Sequence, residues 1–356
     1  MIRTAPRVFA LSVHAGYQCR RTGACCTAGW SIPLEAPLQR RFGVASLTPE
    51  PDGACRFYDR SSGLCRIQRD EGEAMLPTSC REFPRLTLAD DRGVFVTLTH
   101  FCPTAARMLV HDRAPLAVVP DPPAFPAARD YDGLDARGEW PPLVRPGLLF
   151  DLPAYDAWER FVVATCARED LDPDSVLDRL AAAADIVRAW TPGRERLTEV
   201  ISHAAGADRV DPAASARYDA WRGIHGYRLV TTAATGTTAT TRDGLKTVPY
   251  LDGGDEGDRF VRPRWSSYAG AVRRYLAARA FGSWSAYQVR GLRSMVAELV
   301  ATGAVLRSEA ARACASAGRE LDDDLMVEAL RAADGLLVHG VDRARLVRLY
   351  GRVEES

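Results

Sequence analysis

The sequence contains almost no lysine. Of its 46 basic residues only Lys246 is a lysine, a preference for arginine that we attribute to genome base composition rather than to chemistry. Acidic residues also number 46, so the formal net charge at pH 7 is zero. A chain without excess positive charge is poorly suited to nonspecific binding of nucleic acid or of an anionic membrane surface. We therefore expect neither nucleic acid nor a membrane among its partners.

Long hydrophobic runs are absent as well. No stretch approaches the roughly 18 apolar residues that a membrane-spanning helix requires. The N-terminal segment MIRTAPRVFALSVHAG has a short apolar run and no small-residue cleavage site, so it makes a poor secretory signal. We expect a cytoplasmic protein. In that compartment thiols stay reduced, and clustered cysteines favour metal binding over disulfides.

Cysteine, by contrast, is concentrated in the N-terminal third. Two of the nine cysteines, Cys166 and Cys314, lie singly within helical patterns, and we interpret them as small buried hydrophobic residues. The other seven form a cluster in sequence: Cys19, Cys25, Cys26, Cys55, Cys65, Cys80 and Cys102.

Three interpretations of the seven cysteines compete. A disulfide network is disfavoured, because seven is an odd number and the chain has no export signal. Ordinary buried thiols are disfavoured by their density. Metal or iron–sulfur ligation is favoured, because zinc sites and iron–sulfur clusters each take four ligands and thiolates suit both. All seven cysteines are therefore candidate metal ligands.

The spacing of the cysteines favours a polynuclear cluster over a single ion. Zinc ribbons use paired C-x-x-C knuckles, whereas these ligands come from five separated turns. We expect an iron–sulfur cluster, of the 4Fe–4S type, with zinc as an alternative or additional metal. Cys25 and Cys26 point to opposite sides of an extended segment, so they can serve different metals. The three surplus thiols would form a second site with His100, which lies near Cys102.

The pattern of the chain predicts a mainly α-helical protein with an irregular start. Residues 1–112 are expected to form a small, irregular α+β, cysteine-rich lobe that holds the metal, and residues 113–150 a proline-rich linker or wrap. Residues 151–356 are expected to form an α-helical domain. Within the first region, CRFYDRSSGLCRIQ predicts a hairpin that turns at residues 61–63, and VFVTLTHF predicts a strand.

Four motifs resemble a known group, the YkgJ-type cysteine-cluster proteins, which are described as zinc- or iron-chelating. They are CRRTGACCTAGWSI, CRFYDRSSGLCRIQRDEGEAML, SCREFPR and HFCPTAARMLV. Within that group the chain is most similar to the flagellin lysine N-methylases of the FliB type. The likeness covers roughly residues 10–110 and continues faintly at YAGAVRRYLAARAF.

The resemblance implies an iron–sulfur cluster held by the seven cysteines. It further implies methyl transfer from S-adenosylmethionine to a lysine of a protein or peptide substrate, flagellin-like or other. Gln68, Pro84 and Arg85 match the motifs as companions of unassigned role, and no catalytic residue is identified. A glycine-rich strand-to-helix turn for the cofactor is missing. The glycines of LDGGDEGDRF, residues 251–260, are interpreted as part of an acidic surface loop.

Two hypotheses about function follow. The first is a cluster-containing enzyme that modifies proteins, most plausibly a protein-lysine N-methyltransferase. The second is a non-enzymatic module that stores, delivers or senses iron or zinc. A deep pocket beside the cysteines, able to admit a nucleoside and a lysine side chain, would favour the enzyme. Exposed, exchangeable ligands would favour the metal-binding module.

Overall fold

The structure, a computed structural model, describes residues 7–207, 211–235 and 254–355. This part of the chain is mainly α-helical with a small sheet region, which confirms the predicted fold class at that level. None of the described helices is both long enough and apolar enough to cross a membrane.

A five-stranded sheet and three short strand pairs make up the β structure. The strands are β1 Val8–Leu11, β2 Ile32–Pro33, β3 Ser46–Leu47, β4 Tyr58–Asp59, β5 Leu64–Cys65, β6 Arg85–Asp90, β7 Gly93–Leu98, β8 Val118–Pro120, β9 Leu134–Asp135, β10 Leu143–Arg145 and β11 Leu148–Leu149. The sheet order is β8-β1-β7-β6-β9, with β1 parallel to β7 and β6 antiparallel to β7. Strands β8 and β9 come from the proline-rich stretch, so that stretch is tied into the sheet.

Strand β7 lies at the centre of the sheet and is buried along its whole length. Its β-branched and aromatic residues suit a strand that is covered on both faces. The predicted strand over residues 94–101 is thus confirmed up to Leu98, after which Thr99, His100 and Phe101 turn toward the next helix. The predicted hairpin is confirmed as β4–β5, in which the Asp59 carboxylate accepts hydrogen bonds from Ser61 and Ser62.

In the part of the chain that the structure describes, four short α-helices occur in the N-terminal third and ten more follow. They are α1 Ala36–Phe42, α2 Arg66–Glu71, α3 Thr78–Glu82, α4 Pro103–His111, α5 Leu152–Ala167, α6 Pro173–Arg188, α7 Leu197–Gly206, α8 Pro212–Ala216, α9 Gly223–Thr235, α10 Gly254–Trp265, α11 Ala269–Ala280, α12 Leu292–Ala317, α13 Asp323–Asp334 and α14 Arg343–Gly351. A π-helical segment, Gly335–Gly340, continues α13. Helices α5 and α6 begin where an aspartate caps a backbone N–H, at Asp151 and Asp172.

One hydrophobic core joins the sheet to the helices. Leu11 and Phe95 from the sheet pack in the same cluster as residues of the long C-terminal helices. Cys166 and Cys314 are buried there, as expected. Two hydrogen bonds reinforce the contact: the Thr97 hydroxyl donates to the Ala278 carbonyl, and the Trp284 indole donates to the Thr87 carbonyl. The sheet and helices therefore form one packed body around residues 95–100.

One expectation about the C-terminal half differs from the structure. Residues 251–260 were interpreted as a loop, but Gly254 onward belongs to α10, while residues 251–253 lie outside the described chain. Further along, Trp284–Tyr287 form a short turn, and α12 is one continuous helix. Gly303 does not interrupt α12, because one glycine costs a helix only about 1 kcal/mol.

Candidate functional site

All seven clustered cysteines line one cavity of about 270 Å³, called here the thiol cavity. They reach it from separate elements. The first three lie in the loop between β1 and β2, and the next two flank the β4–β5 hairpin. Cys80 lies within α3, and Cys102 precedes α4. The structure therefore brings together thiols that are up to 83 positions apart, since 102 − 19 = 83.

A tight loop holds the two adjacent cysteines, Cys25 and Cys26. The Cys26 backbone accepts a hydrogen bond from the Cys55 N–H at 2.7 Å, and the Cys26 N–H donates to the Gly23 carbonyl at 2.9 Å. The two sulfur atoms of Cys25 and Cys26 lie 4.0 Å apart. The loop around Cys26 is thereby fastened to the turn that carries Cys55.

The seven thiols divide into a group of five and a pair. Cys26 interacts with both Cys25 and Cys65, and the thiols of Cys55 and Cys80 lie close enough to interact electrostatically with Cys65. We call these the five-thiol group. The remaining pair, Cys19 and Cys102, flanks Tyr17, whose hydroxyl oxygen is 3.6 Å from the Cys102 sulfur.

Hydrogen bonding prepares part of the five-thiol group for ligation. A hydrogen bond from the Cys26 thiol lowers the pKa of Cys65 to about 6, helped by the backbone N–H groups of Gln68 and Ile67. Interaction with the neighbouring Cys26 thiol also lowers the pKa of Cys25. Because the thiolate is the form that binds metal, Cys65 is ready to ligate at neutral pH.

The pKa values of the remaining three members of the five-thiol group are raised. Burial, followed by the neighbouring thiols, raises the pKa of Cys80 to about 12. Burial also raises the pKa of Cys55, and interaction with the thiols of Cys25 and Cys65 raises that of Cys26. A bound cation would favour ionisation of these thiols, so metal binding and proton release are coupled.

Seven soft sulfur donors line the thiol cavity, and thiolates are ligands both of zinc and of iron–sulfur clusters. Within residues 7–207, 211–235 and 254–355, no three His, Cys, Asp or Glu side chains converge closely enough to hold one metal ion. The thiols instead surround a space of about 270 Å³, whereas roughly 10–15 Å³ suffices for one water molecule. Soft sulfur donors around such a space suit an iron–sulfur cluster.

His100 is not placed beside the thiols. Its Nε2 atom lies 3.1 Å from Nε2 of His14, and its Nδ1 atom lies 3.2 Å from the Asp334 carboxylate. Both ring nitrogens therefore have partners in a fully buried position. The proposed second site of three thiols and His100 loses its histidine in this arrangement, while Cys102 faces Tyr17 instead.

Two of the three motif companions, Gln68 and Arg85, line the thiol cavity. Gln68 lies in the first turn of α2, and its side chain lines the thiol cavity. The Pro84 carbonyl accepts a hydrogen bond from the Thr99 N–H at 2.8 Å, which joins the motif to the end of β7. Arg85 pairs with Glu82 at 3.1 Å and lines the cavity wall. Their contacts indicate that they shape the site and its supports.

A second cavity of about 440 Å³, called here the side cavity, adjoins the thiol cavity. The two cavities share Cys25 and Cys80 as well as Trp30, Phe83 and Arg85. The side cavity is also lined by residues that are remote in sequence: Thr99, Asp132, Trp284 and His339. Its volume lies within the range of about 300–1,000 Å³ that is usual for ligand pockets.

A buried polar network supports the far wall of the side cavity. The Asp334 carboxylate accepts hydrogen bonds from the backbone and ring of His100, from the Tyr275 hydroxyl at 2.7 Å and from the Thr99 hydroxyl at 3.3 Å. The Thr99 hydroxyl oxygen also lies 3.1 Å from Nε2 of His339. The sequence prediction identified neither Asp334 nor His339.

One glycine controls how closely the cysteine loop approaches the hairpin. Gly23 has φ +72°, and a methyl group there would come within 2.9 Å of both the Gly63 carbonyl and the Tyr58 ring. Gly43 has a similar φ of +70° but no atom within 4 Å. We expect Gly43→Ala to lose about 1–2 kcal/mol through backbone strain, and Gly23→Ala about 1–3 kcal/mol more through the clash.

Urea unfolding with parallel metal analysis would measure this difference. The Gly23→Ala protein should also hold less metal than the Gly43→Ala protein, because the clash displaces the loop that carries Cys25 and Cys26. Equal stability and equal metal content for the two variants would contradict the described packing.

Comparison with known proteins provides no relative. No protein-family model matches the chain, and no match was found among the curated proteins or among the solved structures.

Proposed function

We propose that the protein binds an iron–sulfur cluster through its clustered cysteines and methylates lysine in a protein or peptide, with S-adenosylmethionine as methyl donor. The observation that carries the proposal is the shared wall between the two cavities. Seven thiols surround one space, and Cys25 and Cys80 also border a second space of ligand size. The same cysteine motifs support the assignment through their resemblance to flagellin lysine N-methylases.

The five-thiol group is the proposed holder of the cluster. Interaction with Cys26 lowers the pKa of both Cys65 and Cys25, and Cys26, Cys55 and Cys80 lie around the same space. A cluster bound there would cross-link the loops on which its ligands lie. The chain itself contributes the hydrogen bonds that orient these loops, above all the one from the Cys55 N–H to the Cys26 carbonyl.

Methyl transfer requires an uncharged lysine amine and a site that excludes competing water. Trp30, Phe83 and Trp284 give the side cavity aromatic walls, and an apolar wall disfavours the charged ammonium form. The attacking nitrogen forms a bond to the methyl carbon while the carbon–sulfur bond of the donor breaks toward sulfur. Holding the amine in this orientation is the contribution expected of the cavity walls.

Anaerobic purification tests the metal assignment. We expect about four iron atoms and a similar amount of acid-labile sulfide per chain, together with visible absorption. A colourless protein that contains one zinc ion and no sulfide would exclude the cluster.

A mass-spectrometric assay tests the activity. The protein is incubated with S-adenosylmethionine and lysine-containing peptides. We expect a gain equal to one methylene group per transferred methyl, absent without the donor and absent in protein from which the cluster has been removed. Cluster-containing protein that modifies no lysine in a broad peptide and flagellin panel would contradict the enzymatic part of the proposal.

Exposure of two thiols supports a second candidate function, in which the protein stores or delivers metal. Cys19 and Cys25 are both exposed, and exposed ligands exchange readily. The two functions differ in their response to an iron chelator. A delivery protein should release iron within minutes and keep its fold, whereas a resident cluster should be lost slowly and with loss of stability.

A further inference from the structure

His339 occupies a position where a side chain can act on a bound ligand. It lies in the π-helical segment after α13, and such segments are frequent at functional sites. Part of the residue is exposed, but its ring, which borders the side cavity, packs against Trp30 with the two ring centres 4.3 Å apart. One face of the imidazole is thus covered, and the residue still borders open space.

The contacts of His339 define its tautomer. Asp334 is an ionised carboxylate and can only accept, so the Thr99 hydroxyl donates its hydrogen to Asp334. The Thr99 oxygen, 3.1 Å from Nε2 of His339, then accepts the hydrogen on that nitrogen. The lone pair of the neutral ring is consequently on Nδ1, an atom that has no hydrogen-bond partner among the residues the structure describes.

The charge state of His339 suits contact with an amine. Burial of much of the ring lowers the pKa of His339 to about 4, and Arg279 reinforces the shift against the opposing effect of Asp334. The imidazole is therefore neutral at physiological pH. A neutral ring does not repel a cationic substrate, and its free nitrogen accepts a hydrogen bond from N–H.

The rest of the side cavity complements a lysine side chain. Trp30 and Trp284 offer flat apolar surfaces to the aliphatic stem, and aromatic faces attract the cationic end on its way in. Glu82 is already paired with Arg85 and Arg129 at 3.1 and 3.0 Å. Asp132, by contrast, is exposed and makes no ion pair within the described ranges, so its charge is available at the cavity rim.

We propose that the side cavity binds the substrate lysine, with Asp132 attracting the ammonium at the rim and Nδ1 of His339 accepting a hydrogen bond from the ε-amine. The inference rests on the proposed methyltransferase function and gives it a substrate site and a catalytic residue. It also assigns a purpose to the network of Asp334 and Thr99, which fixes the tautomer and direction of the His339 ring.

The chemical step balances with these groups. The ε-ammonium first releases one proton to water, and one N–H of the resulting amine donates to His339. The nitrogen lone pair then forms the bond to the sulfonium methyl of S-adenosylmethionine. The carbon–sulfur electron pair moves to sulfur, so a neutral thioether and an N-methylammonium group are the products.

Three variants separate binding from catalysis. His339→Phe preserves ring packing on Trp30 but removes the acceptor, and His339→Gln restores an acceptor oxygen. Asp132→Asn removes the rim charge, with Asp135→Asn as its matched control, since Asp135 is exposed and pairs with Arg137 outside the cavity. Binding is measured by fluorescence anisotropy of a labelled oligolysine peptide, compared with a peptide in which norleucine replaces lysine.

We expect His339→Phe to lower kcat by about 10–100-fold, the effect of one lost hydrogen bond, with a smaller change in KM and unchanged iron content. His339→Gln should recover part of the rate. Asp132→Asn should weaken peptide binding several-fold, and Asp135→Asn should not. A His339→Phe protein that keeps the full rate with normal iron content would overturn the role of His339.

The peptide-binding measurements test the lysine site independently of methyl transfer. In one outcome, the wild-type protein binds the lysine peptide more tightly than the norleucine peptide, with Asp132→Asn weakening that binding, and yet transfers no methyl group. This result would support the lysine site and contradict the proposed function. Equal binding of the lysine and norleucine peptides would overturn the lysine site whether or not the protein methylates.

Discussion

Replacing Cys26 with serine is expected to lower the iron content of the protein at least tenfold. Cys26 contacts both Cys25 and Cys65, and its backbone carbonyl holds the turn of Cys55. The substitution therefore removes one thiol and its side-chain contacts with Cys25 and Cys65, while the backbone bond to Cys55 remains. Changing a group that only supports a metal ligand already costs about 10–100-fold in affinity, so removal of a ligand should cost more. Iron and sulfide analysis after anaerobic purification is the measurement.

Three other cysteines serve as controls for this experiment. Cys314→Ala removes a buried thiol far from the site in sequence and should leave the iron content unchanged. Cys19→Ser and Cys102→Ser alter the pair beside Tyr17, and we expect both proteins to keep more iron than Cys26→Ser. If Cys19→Ser or Cys102→Ser instead loses all iron while Cys26→Ser keeps it, the five-thiol group is not the ligand set.

The hairpin and the helix ends of the cysteine region could be predicted from the sequence, because each depends on residues that are close together in the chain. A Ser-Ser-Gly turn between two extended arms gives the β4–β5 hairpin, and Gly43 ends α1 with a left-handed φ of +70°. Pro103 is the first residue of α4. A backbone N–H at that position has no partner within the helix, so a proline, which lacks the N–H, is tolerated there. The seven cysteines that the sequence singles out as candidate ligands all line one cavity.

The side cavity could not be predicted in this way. Its walls come from Trp30, Phe83, Asp132, Trp284 and His339, which meet only through the tertiary packing of the sheet against the helices. No short sequence pattern predicts that residues so far apart in the chain come into contact. The single stretch RAADGLLVHG did contain a signal, because Asp334 falls at a core position of an otherwise apolar helical face. A charged residue at a core position indicates a buried polar network.

Removing the Asp334 carboxylate is expected to destabilise the fold by about 3–5 kcal/mol, the usual cost of breaking a buried charged contact. Asp334→Ala would leave His100, Tyr275 and Thr99 without their common acceptor in a region closed to water. Urea unfolding measures the loss. Asp324→Ala on the same helix breaks only an exposed pair with Arg107 and should cost less than about 1 kcal/mol.

The same carboxylate predicts a pH effect. Burial alone would raise the pKa of Asp334, but hydrogen bonds and charge from His100, with Arg279 and Tyr275, hold it well below its usual range. A depressed pKa means that the stabilisation is fully present above the ordinary carboxyl pKa of about 4 and is lost as the pH falls below it. Wild-type stability should therefore decline more steeply below pH 4 than that of Asp334→Ala. Parallel acid profiles of the two proteins would contradict this role.

The parallel pairing of β1 with β7 has a consequence for the order in which the protein assembles. Val8 pairs with Val94, and six of the seven clustered cysteines lie in the chain between these two strands. Bringing such distant segments together is entropically costly and slows folding. A cluster that links the loops of Cys26, Cys55 and Cys80 would divide the long segment between β1 and β7 into shorter loops before the two strands pair. With the proposed cluster, iron acquisition would be an early step of maturation, and a newly made chain without iron would close its sheet late.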